Sequence, residues 1–239
     1  MSHIRREAIA RLIETILKIL KAGERPSIST LSEKALISKE LVRGILSSWG
    51  ILGDVVELKE EEKIDIALKA LEQGVDGERI SRYLNWAEFE KLVARAFEKA
   101  GYQTKWNIRL TQRGRRHQID LLAYRGHIVL LIDCKHWKRP PPPSATSRMV
   151  EIQERRLMAL KNKLESRAKS DEKLCEIYFI PMVLSLYQPS RKVVNGHVFA
   201  SIGNLRGLLD YVESAYFQIR HEKVKIAREQ YLEDLLTRI

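Results

Sequence analysis

Apolar residues along this chain change their spacing repeatedly, and each spacing predicts a different element. Ile4, Ala8, Ile9, Leu12, Ile13, Ile16, Leu17 and Leu20 recur every three to four positions, which predicts an amphipathic helix over residues 4–20 edged by Arg5, Arg6 and Arg11. Thr30-Leu-Ser-Glu33 has capping-box spacing and predicts a short second helix, while Ser38 caps a third that runs through Leu41, Val42, Ile45 and Leu46 toward Trp49. Residues 63–84 keep a helical pattern interrupted at Gly74 and Asp76-Gly77, and read as the joint between two domains. From Asn85 to Gly101 the punctuation is clear: Asn85 is an N-cap, Gly101 a stop, and Phe89, Val93, Ala96, Phe97 and Ala100 form one buried stripe.

The period then shortens. Asp120 to Lys135 holds two apolar runs flanking Arg125-Gly126, each ending in an acid, which predicts a β-hairpin with charge at its otherwise buried end. With Arg125-Gly126 as a two-residue loop, Tyr124 pairs with His127, Gln118 with Asp133 and Asp120 with Leu131. A proline run, Pro140 to Pro143, predicts a stiff connector, followed by a long helix capped by Ser144 or Ser147 with Val150, Leu157, Leu160 and Leu164 along one side. Leu174 to Leu186 predicts a buried strand bending or ending at Pro181, and Val193 to Ala200 another strand. From Leu205 to the C-terminus the pattern predicts helix, with Leu208, Leu209, Val212 and Tyr216 buried and a charged tail.

These elements predict a mixed α/β fold in three parts: a helical, winged-helix-like domain over residues 1–80, an α/β domain over 81–215 and a helical tail over 216–239. Three short N-terminal helices with a tight link at Leu36-Ile37 suggest a helix-turn-helix presenting Lys39, Glu40 and Arg43 to a DNA groove. A plain three-helix bundle used for packing or dimerisation fits as well. Lys59-Glu60-Glu61-Glu62 makes an acidic surface that phosphate would avoid, so no DNA-binding wing is expected there.

A net charge of +11 favours a polyanionic partner, with nucleic acid first. No apolar run approaches the ~20 residues of a bilayer span, so no membrane role is expected. Cys134 and Cys175 are the only cysteines, which excludes a disulfide scaffold and a Cys-rich zinc site and suits a reducing cytoplasm.

Charge placement sharpens the picture. Alternation puts Asp133 and Lys135 on one strand face, with Asp120 as diagonal neighbour at about 7 to 8 Å, close enough for two carboxylates to share a divalent cation; Cys134 points the other way. Asp133 follows five apolar residues, Ile128 to Ile132, where an unpaired carboxylate is costly. In the preceding helix Glu88 occupies the capping-box position, whereas Glu90 borders the apolar stripe and is the candidate third acid. From Lys105 to Arg139 there are nine Lys or Arg against two acids. Arg109, Arg113, Arg115 and Arg116 form a mobile basic loop in this reading, and Lys138 and Arg139 leave the far end, a rim that would draw phosphodiesters to the acids. His117, His127 and His136 lack metal-ligand spacing and read as phosphate contacts or surface residues.

Written as Ile119-Asp120, twelve intervening residues and then Asp133-Cys134-Lys135, this pattern resembles the PD-(D/E)XK nuclease superfamily. Phe89-Glu90-Lys-Leu-Val, Ala100-Gly101-Tyr102 and Lys135-His-Trp137 resemble the Mrr-like restriction endonucleases within it, and archaeal Holliday-junction resolvases look similar through the same core. The resemblance covers roughly residues 84–205. It implies a mixed central sheet flanked by helices and an endonuclease acting on DNA, restriction-like or structure-specific in repair. It also implies Mg²⁺ or Mn²⁺ held by Asp120, Asp133 and the Cys134 carbonyl with help from Glu90, and Lys135 beside the attacking water. Many Mrr-like members carry Gln or Glu where Asp133 stands, and a glycine-rich loop where this chain has Arg113-Gly-Arg-Arg-His-Gln118. The rival from another class is a DNA-binding protein that uses a nuclease-like fold only to grip phosphates. A homodimer would serve two-strand cleavage, and the apolar residues of the C-terminal tail would permit one.

Overall fold

The computed structural model describes residues 3–137, 141–166, 174–187 and 189–227. They fall into two compact units, Met1–Arg95 and Ala96–Ile239.

In the first unit, α1 (His3–Lys21), α2 (Ile28–Ala35) and α3 (Lys39–Ser48) form as the apolar spacing predicts. One core gathers Leu12, Ile13 and Ile16 of α1 with Leu31 of α2 and Val42 and Leu46 of α3. The cap of α2 differs from expectation. Ser27 rather than Thr30 is its N-cap, its hydroxyl accepting from the Thr30 amide at 3.1 Å, so the helix starts one turn earlier. Ser38 caps α3 as predicted, 3.2 Å from the Leu41 amide. Leu36, between them, takes a left-handed φ of 56°. Two further helices follow, α4 (Glu60–Glu72) and α5 (Gly77–Ser81). Residues 63–84 are therefore not a joint: Ile64, Ala67, Ala70, Val75, Ile80 and Leu84 belong to the same core. The glycines read as domain punctuation are helix punctuation, with Gly74 at φ 79° closing α4 and Asp76 capping α5. The acids at 60–62 form the first turn of α4, where Glu62 accepts from the Lys59 amide at 2.7 Å. The only pairing reminiscent of a wing, among the described residues, is an isolated bridge between Ser27 and Val55.

The helix α6 (Trp86–Lys99) carries the predicted capping box: Asn85 Oδ1 accepts from the Glu88 amide at 2.9 Å, and Glu88 Oε2 from the Asn85 amide at 2.8 Å. Glu88 is buried and also accepts from Lys63 Nζ at 2.8 Å, whereas Lys91 and Arg95 pair with Glu61 instead.

The second unit is built on a seven-stranded mixed sheet. Its strands are β1 (Gln103–Gln112), β2 (Arg115–Arg125), β3 (Ile128–Lys135), β4 (Leu174–Ser185), β5 (Val193–Val194), β6 (His197–Ser201) and β7 (Glu222–Ala227), with α7 (Pro143–Glu165) and α8 (Leu205–Ala215) between them. The order is β1-β2-β3-β4-β6-β5, antiparallel from β1 to β3 and parallel from β3 through β4 to β6, and β7 also pairs with β4. Parallel pairing of β3 with β4 requires a crossover, and α7 supplies it. Val129 and Leu131 of β3, Leu122 of β2 and Phe179 of β4 pack with Leu157, Leu160 and Leu164 of α7.

Several expectations change. The β1–β2 connection is a tight two-residue turn, not a mobile loop: Arg113 and Gly114 both have positive φ, 47° and 73°, and Gln112 pairs with Arg115. The β2–β3 loop is Gly126-His127, one residue later than expected, because Arg125 stays in the strand opposite Ile128. Its guanidinium is held there by the Ala100 carbonyl at 2.8 Å, the Tyr102 ring at 4.7 Å and Glu213. Strand β4 runs straight through Pro181, at the point where its far edge passes from β7, paired up to Phe179, to β6, paired from Met182; the missing N–H costs no ladder bond on that edge. Helix α7 starts within the proline run, with Pro143 as its first residue, where an absent N–H is harmless. Residues 222–227, expected to be helical, form β7: Val224 and Ile226 are buried while Lys223 and Lys225 are exposed, a period of two. The rest of the expected tail, residues 228–239, lies outside the described residues.

Candidate active site

The last pair of the β2–β3 ladder is Leu121 with Ile132, which leaves Asp120 and Asp133 facing each other at the next position. The predicted parity holds, and the two-residue change of register makes the acids direct rather than diagonal partners. On the β1 side, the ladder skips Asn107 and Asp120 between the pairs Trp106–Leu121 and Ile108–Ile119, and Asn107 adopts a left-handed φ of 48°. Asparagine tolerates that conformation better than most residues, and it interrupts the sheet beside the first acid.

Asp120 Oδ2 accepts from the Cys134 amide at 3.0 Å, a side-chain bond where the two strands stop pairing. Asp133 is 2% exposed. Its carboxylate accepts from Lys135 Nζ at 2.8 and 2.9 Å and from Arg156 Nη1 at 2.6 Å. Asp133 and Lys135 thus share a face, and Cys134, fully buried, points to the other. Burial pushes the Asp120 carboxyl up, the Asp133 charge adds to it, and Lys135 and Arg156 offset only part, leaving it at about 7. Burial would also raise Asp133, but Lys135 and Arg156 outweigh it and hold that carboxyl below its ordinary range. The two acids are thus pushed apart, with Asp120 the one that keeps its proton to higher pH and Asp133 the one held ionised.

Oxygen donors suit a hard cation such as Mg²⁺ or Mn²⁺, and two facing carboxylates are donors of that class. The residues fit such an ion. Among the described residues, no three His, Cys, Asp or Glu side chains gather into a metal cluster.

Beside the acids, β2 and α7 border an open cleft of about 450 Å³ lined by Arg115, Arg116, His117, Gln118, Ile152, Arg155 and Arg156. No acid lines it. Burial, with Arg155, Arg156 and Arg115 nearby, lowers the pKa of His117.

Arg115, Arg116 and His117 are thus brought together as expected. Arg109 is exposed on β1 across from Gln118, Arg113 occupies the turn, and neither lines the cleft. His136 follows β3, while Lys138 and Arg139 lie outside the described residues. Glu90, half-buried on α6 in the first unit, accepts from Trp86 Nε1 at 2.6 Å. In that unit Lys39 is exposed at the start of α3 and Arg43 pairs with Asp54 at 2.7 Å.

Two α7 residues were missed in the sequence. Arg156 holds Asp133, and buried Gln153 donates to the Leu131 and Met182 carbonyls at 3.4 and 2.6 Å, pinning the helix across β3 and β4. Their signal was polar residues within a buried helical stripe: Gln153 lies three after Val150, and Arg156 four before Leu160.

Residues 81–166 match the restriction endonuclease family Mrr_cat. No curated protein matches the chain. Among solved structures, a protein of unknown function, AF1548, is 20% identical over 40% of this chain and 44% of its own length (TM-score 0.27), so this chain spans less than half of that protein. The small subunit of the heterodimeric restriction endonuclease R.BspD6I is 15% identical over 73% of this chain and 87% of its own (TM-score 0.37). The protein VC1899 from Vibrio cholerae is 13% identical over 91% and 58% respectively (TM-score 0.36). No helix of the described residues is long and apolar enough to cross a membrane.

Proposed function

We propose that this chain, whose residues 81–166 match the restriction endonuclease family Mrr_cat, of PD-(D/E)XK type, is a divalent-metal-dependent endonuclease acting on DNA. The observation that carries the proposal is the facing pair Asp120 and Asp133 with the Lys135 ammonium on the second acid, next to a cleft lined by arginines.

Asp120 and Asp133 would hold Mg²⁺ or Mn²⁺, with the Cys134 carbonyl as a third oxygen. The ion, when bound, supplies a Lewis acid that polarises the phosphate and acidifies water. Lys135, already within 3 Å of Asp133, orients the attacking water and stabilises the negative charge that grows on the phosphoryl oxygens. Arg115, Arg116 and His117 position the strand through its backbone, a grip that carries no sequence information itself. Glu90, the third acid expected from the sequence, lies on α6 in the first unit and is assigned no part at the acidic pair. One acidic pair cuts one strand, so double-strand cleavage would need a second copy. Lys39 and Arg43 remain the groove-contact candidates of the helical unit, and Arg109, Arg113, His136, Lys138 and Arg139 further phosphate contacts.

The test is cleavage of linear, flapped and four-way DNA with Mg²⁺ or Mn²⁺. Asp120→Ala and Lys135→Ala should each abolish cutting while leaving DNA affinity in EDTA nearly intact. Undiminished cutting by Lys135→Ala would remove that residue from the mechanism.

A second reading rests on one specific observation: Asp133 is already neutralised by Lys135 and Arg156 without any metal. A DNA-binding protein that only grips phosphates could keep such an arrangement. It requires tight binding in EDTA and no hydrolysis of any substrate with either ion.

A further inference from the structure

Arg156 belongs to two places at once. Its Nη1 lies 2.6 Å from Asp133 Oδ1, with the two side chains only 15% and 3% exposed, and the same residue lines the basic cleft between β2 and α7. Asp133 also holds a second cation, Lys135, on its carboxylate.

We infer that Arg156 is a latch on the metal site: it occupies Asp133 while no metal ion is bound, and turns to a backbone phosphate in the cleft when a divalent cation takes that oxygen. This rests on the nuclease proposal above. A divalent cation on that oxygen would draw on the lone pairs that now serve the guanidinium and set like charge beside it, which weakens the hold of Asp133 on Arg156. Where it would go is set by its neighbours. Arg115, Arg116 and Arg155 already line the cleft, and no acid among the lining residues awaits a further positive charge. Release is therefore costly unless a polyanion fills the cleft, and phosphodiester oxygens are the ligand that guanidinium groups engage best. Metal and DNA then each favour the same released state. Coupling between the two binding events is necessarily reciprocal: DNA tightens metal binding, and metal tightens DNA binding by the same factor.

The experiment uses the full chain and does not depend on turnover. Mn²⁺ binding to DNA-free protein is measured by calorimetry for the wild type, Arg156→Gln, Arg156→Lys and Arg155→Gln. Duplex affinity is measured for the same set in EDTA and in Ca²⁺. Arg155→Gln removes the same charge from the same cleft without touching Asp133. Arg156→Lys keeps the charge and guards against loss of fold. The latch requires Arg156→Gln to bind Mn²⁺ about tenfold tighter than wild type, the size expected for a charge-assisted hydrogen bond, with Arg155→Gln within about twofold and Arg156→Lys between. It also requires the Ca²⁺-induced gain in DNA affinity to shrink in Arg156→Gln and persist in Arg155→Gln. Equal effects of the two glutamine variants on Mn²⁺ would reduce Arg156 to bulk charge and overturn the latch, as would no effect from either. In both of those outcomes a wild type that binds Mn²⁺ and cuts DNA leaves the nuclease proposal standing. Absence of Mn²⁺ binding in the wild type and in every variant ends both.

Discussion

Replacing Asp120 by Asn should make the protein more stable while disabling it, and the gain should depend on pH. Burial and the facing Asp133 raise the Asp120 carboxyl from its ordinary 3.8 to about 7, so the folded state prefers the neutral form while the unfolded chain ionises near 4. The stability this group contributes is therefore complete below about pH 4 and is lost as pH rises toward 7. A rise from 3.8 to about 7 corresponds to a ceiling of about 4 kcal/mol. Asp120 keeps part of its surface open to solvent, and screening lowers the expected difference to about 1–2 kcal/mol. Asparagine keeps an acceptor for the Cys134 amide and carries no charge. Urea unfolding of wild type and Asp120→Asn, in EDTA from pH 4 to pH 8, should show a difference that opens in favour of the variant above pH 4 and levels off above pH 7. His117 and His197, whose pKa values burial lowers, gain stability with rising pH in the same range, but they titrate alike in both proteins and cancel. A difference that stays flat with pH, or grows the other way, would refute the assignment of the strained charge to Asp120.

Three further outcomes can be measured. Ser27→Ala removes the cap of α2 and should lower unfolding free energy by about 1 kcal/mol in urea titration without altering DNA cleavage. Arg113→Asn places a residue better suited to positive φ in the Arg113-Gly114 turn and should raise stability by about 0.5 kcal/mol, seen as a higher melting temperature. Arg115→Ala combined with Arg116→Ala should weaken DNA binding for all sequences alike and reduce the slope of log K against log salt by about 2.

The convergence of Asp120 and Asp133 was legible because it depends only on side-chain alternation, which survives a shift of register by two. The register itself was not legible, and the dipeptide Arg-Gly shows why. At 113–114 both residues take positive φ and make the turn; at 125–126 the arginine stays extended because Ala100, Tyr102 and Glu213, remote in sequence, hold its side chain. Pro181 misled for a related reason, since its tolerance depends on which strand edge lacks a partner there. The strand at 222–227 was readable from Val224 and Ile226 but was masked by the helical period of the segment before it. Arg156 and Gln153 were not singled out, because their only local mark is to be polar residues in an apolar stripe; their partners follow from how α7 lies across β3 and β4, which no local pattern encodes.

Cys134, flanked by Asp133 and Lys135 yet turned into the opposite, fully enclosed side of the sheet, gives the protein a built-in reporter. A thiol hidden this completely is shielded from alkylating reagents, whereas Cys175 on β4 is partly accessible. The rate at which iodoacetamide labels the slower of the two thiols would therefore time how often β3 leaves the sheet, and with it how often the acidic pair comes apart.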